Sequence, residues 1–271
     1  MTTPSQKRAR FRELHASGCF VIPNPWDAGS ARMLRALGFQ ALASTSSGFA
    51  WSTGRLDNEV PLEDMLAHLG VLSVATDLPL NADFENGYAD APEEVAANVR
   101  RALAAGVAGL SIEDMSHDPG KPLYETALAV ERVRSARAAI DADGTGAVLV
   151  ARAEGLLIGQ MDPKQTIDRL VLLAEAGAHC LYAPGLRTAD DIAAAVKAVA
   201  PLPLNVLMWT QGPTVAELED LGVRRISVGG ALARAAWAGF LAAAREIADE
   251  GRFDKLADAA TGAELKALLR P

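Results

Sequence analysis

The chain has 271 residues, with 26 basic and 34 acidic side chains and a net charge of −8. That balance excludes a general affinity for nucleic acid or an anionic membrane, both of which need a basic face. It leaves room for an anionic small-molecule substrate, because a bound cation can invert the local field. Half of the residues are hydrophobic, enough for the large core of one domain spanning residues 1–271. No apolar stretch reaches the roughly 18 residues that a membrane span needs, and residues 1–11 carry no apolar signal segment. Cys19 and Cys180 read as reduced core thiols, so a cytoplasmic location is expected.

In chain order, residues 7–17 predict a short helix and residues 19–23 a buried strand. Asp27 is placed to cap a helix that stops at Gly38. Residues 41–43 predict a second strand, and residues 44–48 read as a polar loop. An insert with Trp51, Gly54, Arg55 and Asp57 leads to a helix over residues 61–75. The third strand ends at Asp83, and a helix follows over residues 92–105. Residues 109–112 predict a strand ending at Glu113-Asp114. The loop at residues 115–123 holds Pro119, Gly120 and Pro122 and reads as mobile. A helix over residues 125–140 precedes a strand over residues 147–151 that ends at Arg152. Asp162, Thr188 and Thr214 are placed as caps of three further helices. They alternate with strands over residues 179–183, 204–207 and 225–228. Gly229-Gly230 opens a long Ala-rich helix to Ala248, and short helices fill the tail.

Eight short apolar strands alternating with helices predict a parallel sheet covered on both faces. Eight units in this length fit a (β/α)₈ barrel of the TIM type better than an open sheet. No G-x-G-x-x-G turn follows the first strand, which weighs against dinucleotide binding.

In such a barrel the active site lies at the C-terminal ends of the strands. Asn24, Ser46-Ser47-Gly48, Asp83, Glu85, Glu113, Asp114, Arg152, Glu154, Tyr182, Asn205 and Ser227 fall there. Asp83 and Glu85, spaced i, i+2, would face one way on an extended backbone. Such a carboxylate group is relieved by a hard cation, and Mg²⁺ shared by Asp83, Glu85 and Glu113, partly through water, would do so. Arg152 suits a substrate carboxylate in bidentate fashion; an ion pair with Glu154 or Asp114 is the alternative. Ser47-Gly48 could offer backbone N–H groups to the same anion, and Asn205 is a further candidate substrate contact. Gly229-Gly230 could mark a phosphate site near the last strand; close strand–helix contact is the alternative. The histidines show no zinc spacing, and no G-x-S-x-G elbow is present.

Four pieces in this order resemble the isocitrate lyase/phosphoenolpyruvate mutase superfamily: Thr45-Ser46-Ser47-Gly48, residues 82–88, Ile112-Glu113-Asp114 and Ala151-Arg152-Ala153-Glu154. The resemblance covers nearly the whole chain. It implies a barrel with Mg²⁺, or Mn²⁺ in its place, holding a 2-oxo acid or its enolate. The direct metal ligand falls on Asp83, and the water-mediated ones on Glu85, Asp57 and Glu113. The substrate-carboxylate turn falls on Ser47, Gly48 and Phe49, and the fifth-strand arginine on Arg152. It also implies a homo-oligomer, dimer or tetramer, with the eighth helix swapped between subunits; packing of that helix on its own barrel would account for its apolar surface equally.

The chain departs from the pattern in loop 115–123. Isocitrate and methylisocitrate lyases carry a K-[KR]-C-G-H motif there, and this loop has no cysteine. His117 and Lys121 are the candidate acids on it, and Tyr88 is a candidate at the base of the neighbouring loop. The expected activity is a Mg²⁺-dependent lyase or decarboxylase of a small 2-oxo or 2-hydroxy (di)carboxylate. The alternatives are C–P chemistry, as a phosphoenolpyruvate mutase or phosphonopyruvate hydrolase, and a catalytically silent barrel that binds a 2-oxo acid.

Overall fold

A computed structural model describes residues 2–116 and 118–270. The candidate His117 lies outside the described residues. Eight strands form one sheet among them: β1 (Phe20–Ile22), β2 (Leu42–Ala43), β3 (Leu80–Asp83), β4 (Gly109–Glu113), β5 (Val148–Arg152), β6 (Cys180–Tyr182), β7 (Leu204–Leu207) and β8 (Arg225–Ser227). All pairings are parallel, in the order β1-β8-β7-β6-β5-β4-β3-β2. The circle closes between β1 and β2 through one backbone bond, Ala43 N–H to the Pro23 carbonyl at 3.1 Å. Asn24 reinforces this seam. Its amide donates to the Ser44 carbonyl at 3.0 Å, and its Oδ1 accepts from Val228 and Gly229 N–H at 3.0 and 2.9 Å. The expected (β/α)₈ barrel is therefore the observed architecture.

The helices are α1 (Pro4–Ala16), α2 (Ala28–Ala36), α3 (Ser46–Ser52), α4 (Leu62–Ala75), α5 (Pro92–Ala104), α6 (Thr126–Asp143), α7 (Pro163–Glu175), α8 (Ala189–Val199), α9 (Val215–Asp220), α10 (Ala231–Glu250) and α11 (Gly262–Leu268). Asp27, Asp162, Thr188 and Thr214 cap α2, α7, α8 and α9 as their spacing predicts, each accepting an N–H of the first turn. The polar segment at residues 44–48 is not all loop. Thr45 caps α3, which begins at Ser46, by accepting the Gly48 N–H at 3.2 Å.

Two apolar clusters build the barrel. The outer faces of the strands and the inner faces of the helices bury Leu110, Ile112, Leu149, Leu181 and Val206 with their neighbours. The barrel interior holds Ile22, Val148, Val150 and Cys180, sealed below by Phe11 of α1. Gly109 permits this plug, since a Cβ there would lie 2.7 Å from the Val148 carbonyl oxygen and 2.8 Å from the Phe11 ring. Two cations of α1 cap the C-terminal ends of neighbouring helices. Lys7 donates to the Ser73 and Thr76 carbonyls at 2.6 and 2.7 Å, and Arg8 to the Leu103 and Val107 carbonyls at 2.8 and 2.9 Å.

Helix α10 does not pack its apolar surface on its own barrel, so that reading of its composition is corrected. Among its described residues only Ala233 is buried, and Phe240 is 59% exposed. No helix among the described residues is long and apolar enough to cross a membrane.

Candidate active site

The C-terminal ends of the strands enclose a cavity of about 400 Å³. Asp57, Asp83, Arg152 and Tyr182 form its walls, Trp51, Trp209 and Arg234 its rim, and Asn81, Ser111 and Arg225 its floor. The period of two along each strand accounts for this: Asn81 and Asp83 of β3 point inward while Ala82 joins the outer core.

Arg152 is the electrostatic centre. Its Nη1 lies 3.0 Å from Glu113 Oε2 and 3.4 Å from Asp83 Oδ1. Its Nε and Nη2 donate to the two carboxylate oxygens of Glu154, the latter at 3.2 Å. Its Cζ lies 5.2 Å from the centre of the Tyr182 ring. The ion pair with Glu154 posed by the sequence is thus formed, but the one with Asp114 is not. Asp114 is taken by Arg169 Nη1 at 2.6 Å and by the Glu154 N–H at 2.7 Å. Burial alone would lower the Arg152 pKa; Glu113, Glu154 and Asp83 raise it well above its usual value.

Asp83 is fixed from the neighbouring strand. Its Oδ2 accepts the Ser46 N–H at 2.9 Å, and its own N–H donates to Ser44 Oγ at 2.8 Å. Burial and then the Asp83 charge raise the pKa of Asp57, and a hydrogen bond from Ser46 works against them. Glu113 is raised well above the usual range, first by burial, with Glu154, Asp83 and Glu85 adding to it and Arg152 opposing.

Glu85 does not share an extended face with Asp83. β3 ends at Asp83, and the backbone turns left-handed at Glu85 (φ 46°), Gly87 (77°) and Tyr88 (57°). This places Glu85 behind the wall, where its Oε1 accepts from the Tyr88 hydroxyl at 2.9 Å. Burial, chiefly, pushes the Glu85 carboxyl up to about 8, with Asp83 and Asp57 assisting. The folded protein therefore keeps a proton that the unfolded chain releases near pH 4.5, so stability falls as pH rises from about 4.5 to about 8. Glu85→Gln removes that loss. Urea melts in EDTA are expected to show the variant equal to wild type at pH 5 and more stable at pH 8.

The four carboxylates expected to share a metal are not drawn into one coordination sphere. Among the described residues no three acidic, histidine or cysteine side chains are placed to hold an ion. Asp57 and Asp83 face the cavity, while Glu113 is held by Arg152 and Glu85 by Tyr88. Ser47 lines the cavity, but Gly48 and Phe49 do not. Their N–H groups are spent on Thr45, at 3.2 and 3.1 Å, and the Phe49 ring stacks on His68 at 3.7 Å. Asn205 lies below the wall, donating to Ser227 Oγ at 3.0 Å. Tyr88 packs against Phe84 and reaches Glu85 rather than the cavity. Lys121 is exposed on a hairpin pinned by the Met115–Leu123 bridge and by Ser116 N–H to the Pro122 carbonyl at 2.8 Å. The Gly229-Gly230 turn makes close contact rather than an open phosphate cradle. Asn24 takes the Val228 and Gly229 N–H groups, and a Cβ at Gly230 would lie 2.7 Å from Ser47 Oγ.

Sequence reasoning missed Arg225, Asn81 and Ser111 on the floor and Trp209 and Arg234 on the rim. The signal was present for the floor: three polar side chains alternate with apolar ones inside strands that otherwise read as buried.

Comparison with known proteins places this barrel. A 46% identical Burkholderia cenocepacia J2315 protein, described as a provisional lyase/mutase, superposes with a TM-score of 0.93 over 97% of this chain and 95% of its own. A 2,3-dimethylmalate lyase of the phosphoenolpyruvate mutase/isocitrate lyase superfamily superposes with a TM-score of 0.85 at 28% identity, over 99% and 95% of the two chains. An oxaloacetate decarboxylase of Rhodopseudomonas palustris (strain BisB5) is 28% identical over 79% of this chain and 74% of its own length. The family model for phosphoenolpyruvate phosphomutase matches residues 11–248. With the barrel, the strand-end carboxylates and this match in agreement, the chain belongs to the phosphoenolpyruvate phosphomutase family, within the isocitrate lyase/phosphoenolpyruvate mutase superfamily of enzymes.

Proposed function

We propose that the protein is a divalent-cation-dependent lyase or decarboxylase of a small 2-oxo or 2-hydroxy (di)carboxylate, breaking a C–C bond through an enolate. The observation that carries this reading is the crowding of carboxyl groups at the acidic wall of the cavity. Asp57, Asp83, Glu85, Glu113 and Glu154 lie about the Arg152 guanidinium. The relatives that act on 2,3-dimethylmalate and oxaloacetate support the substrate class.

The donor set fits Mg²⁺, which is commonly bound by one or two carboxylates and keeps several waters. Asp83 and Asp57, the two carboxylates that face the cavity, would be its donors, with water completing the sphere. Once bound, the cation would hold the 2-oxo and carboxylate oxygens and stabilise the negative charge of the enolate. The protein's own groups orient the substrate. Arg152, held by Glu154 and Glu113, lines the cavity and would present its guanidinium to a substrate carboxylate. Trp51 and Trp209 line the rim of the cavity. In a decarboxylation the bond from C3 to the departing carboxylate breaks and CO₂ leaves; the electron pair of that bond forms the C2–C3 double bond of the enolate as the carbonyl pair moves to the 2-oxo oxygen, and a proton from water then adds at C3. The absence of a cysteine in loop 115–123 favours this over cleavage of isocitrate.

Pyruvate release from a panel of C4 dicarboxylates and phosphonopyruvate, with and without Mg²⁺, tests the reading. Turnover of a dicarboxylate that stops in EDTA is expected; turnover of phosphonopyruvate alone would replace it with C–P chemistry. Asp83→Ala is expected to weaken Mg²⁺ binding by about 10–100-fold in calorimetric titration, and unchanged affinity would refute the ligand assignment.

A further inference from the structure

Arg225 is a buried cation without an anion. It stands at the start of β8, points into the barrel and is 3% exposed. Among the described residues no carboxylate lies within ion-pair distance of it. Its Nη1 makes one long hydrogen bond, 3.4 Å to Asn81 Oδ1, and its Nε has no partner. On its lower side Cζ lies 6.0 Å from the centre of the Phe11 ring. Its upper side forms the floor of the cavity. The neighbouring Asn205, in register with it on β7, also has an unpartnered buried atom, Oδ1. Buried guanidinium groups are ordinarily paired, because an uncompensated charge away from water is costly.

The cavity runs without interruption from this floor to the acidic wall. Asn81, which touches Arg225, sits two residues below Asp83 on β3, a rise of about 7 Å. A four-carbon dicarboxylate, with three C–C bonds between its carboxyl carbons, has comparable reach.

We infer that Arg225 is a second anion-recognising pole, which takes the distal carboxylate of a C4 dicarboxylate whose other end lies between Asp83 and Arg152. The assignment rests on the proposed function and narrows its substrate class from carboxylates to dicarboxylates. It also gives the two ends of the substrate separate partners. Arg152, already spanned by carboxylates, orients the end that carries the 2-oxo or 2-hydroxy group, and Arg225, with a free Nε, selects for length and charge.

L-malate and 2-hydroxybutanoate differ only in that distal carboxylate, which is a methyl group in the second. Calorimetric titration of the full-length protein in Mg²⁺ is expected to show malate binding about tenfold tighter or more. Arg225→Gln is expected to bring malate down to the affinity of 2-hydroxybutanoate. Equal binding of the two by wild type, or a preference that survives in Arg225→Gln, overturns the assignment while leaving the proposed function standing. Binding of neither ligand by wild type removes both. Should the variant fail to fold, a crystal structure of wild type with malate decides: a carboxylate oxygen within hydrogen-bond distance of Arg225 Nε or Nη supports the assignment. Water alone at Arg225, with malate bound elsewhere in the cavity, overturns it.

Discussion

Arg152→Lys is expected to lower kcat/KM by about 10²–10³-fold while leaving the fold intact. The substitution keeps a positive charge, so Glu113 and Glu154 do not become an uncompensated buried pair. What is lost is the planar fork. Arg152 now meets Glu154 with two nitrogens and Glu113 and Asp83 with a third. A lysine ammonium is a single point of charge at the end of a flexible stem. It can satisfy the carboxylates or orient a substrate carboxylate, but not both in a fixed geometry. Steady-state kinetics, with thermal melts to establish folding, check this. A variant within threefold of wild type would show that Arg152 serves only to neutralise its neighbours.

Asp114→Ala is expected to cost about 3–5 kcal/mol of stability, because it strands a buried guanidinium. Arg169 and Asp114 have side chains only 6% and 2% exposed, and their contact is 2.6 Å. Arg169 has other acceptors, Thr126 Oγ1 at 2.9 Å and the Tyr124 carbonyl at 3.2 Å, but no second carboxylate among its described contacts. Asp114 also holds the Glu154 N–H at 2.7 Å, so its loss loosens the segment that carries Glu154 to Arg152. Urea unfolding measures the cost. The double variant Asp114→Ala/Arg169→Met is expected to recover much of it, since both charges then leave together. Non-recovery would assign the loss to the Glu154 N–H instead.

The fold was legible because local signals agreed with one another. β7 occupies the span its apolar run predicts, and side chains that cap helices sit where the spacing puts them. The site was legible as a collection of strand-end residues, not as a geometry. Ser46-Ser47-Gly48 reads as a turn because those residues favour turns locally. It is helical because Thr45 supplies the cap and Asp83, from another strand, accepts the Ser46 N–H. Glu85 was misplaced because the i, i+2 argument holds only while the backbone stays extended, and a left-handed φ at a glutamate has no sequence signature. Arg225 opens the last predicted strand, whose span alone does not say which way its first side chain points. Only its alternation with the outward Ile226 places it inside the barrel.

The closing seam gives the barrel a direction of least resistance. Parting β4 from β5 would break a ladder of five registered residue pairs. Parting β1 from β2 would break one backbone bond and the clasp made by a single asparagine amide. That amide also reaches across to the end of β8, at the lip of the cavity. The sheet is thus a split ring held by a latch, and the latch stands beside the cavity. Opening of the barrel is therefore expected to begin at the mouth of the cavity, above a floor that the plug of α1 packs against.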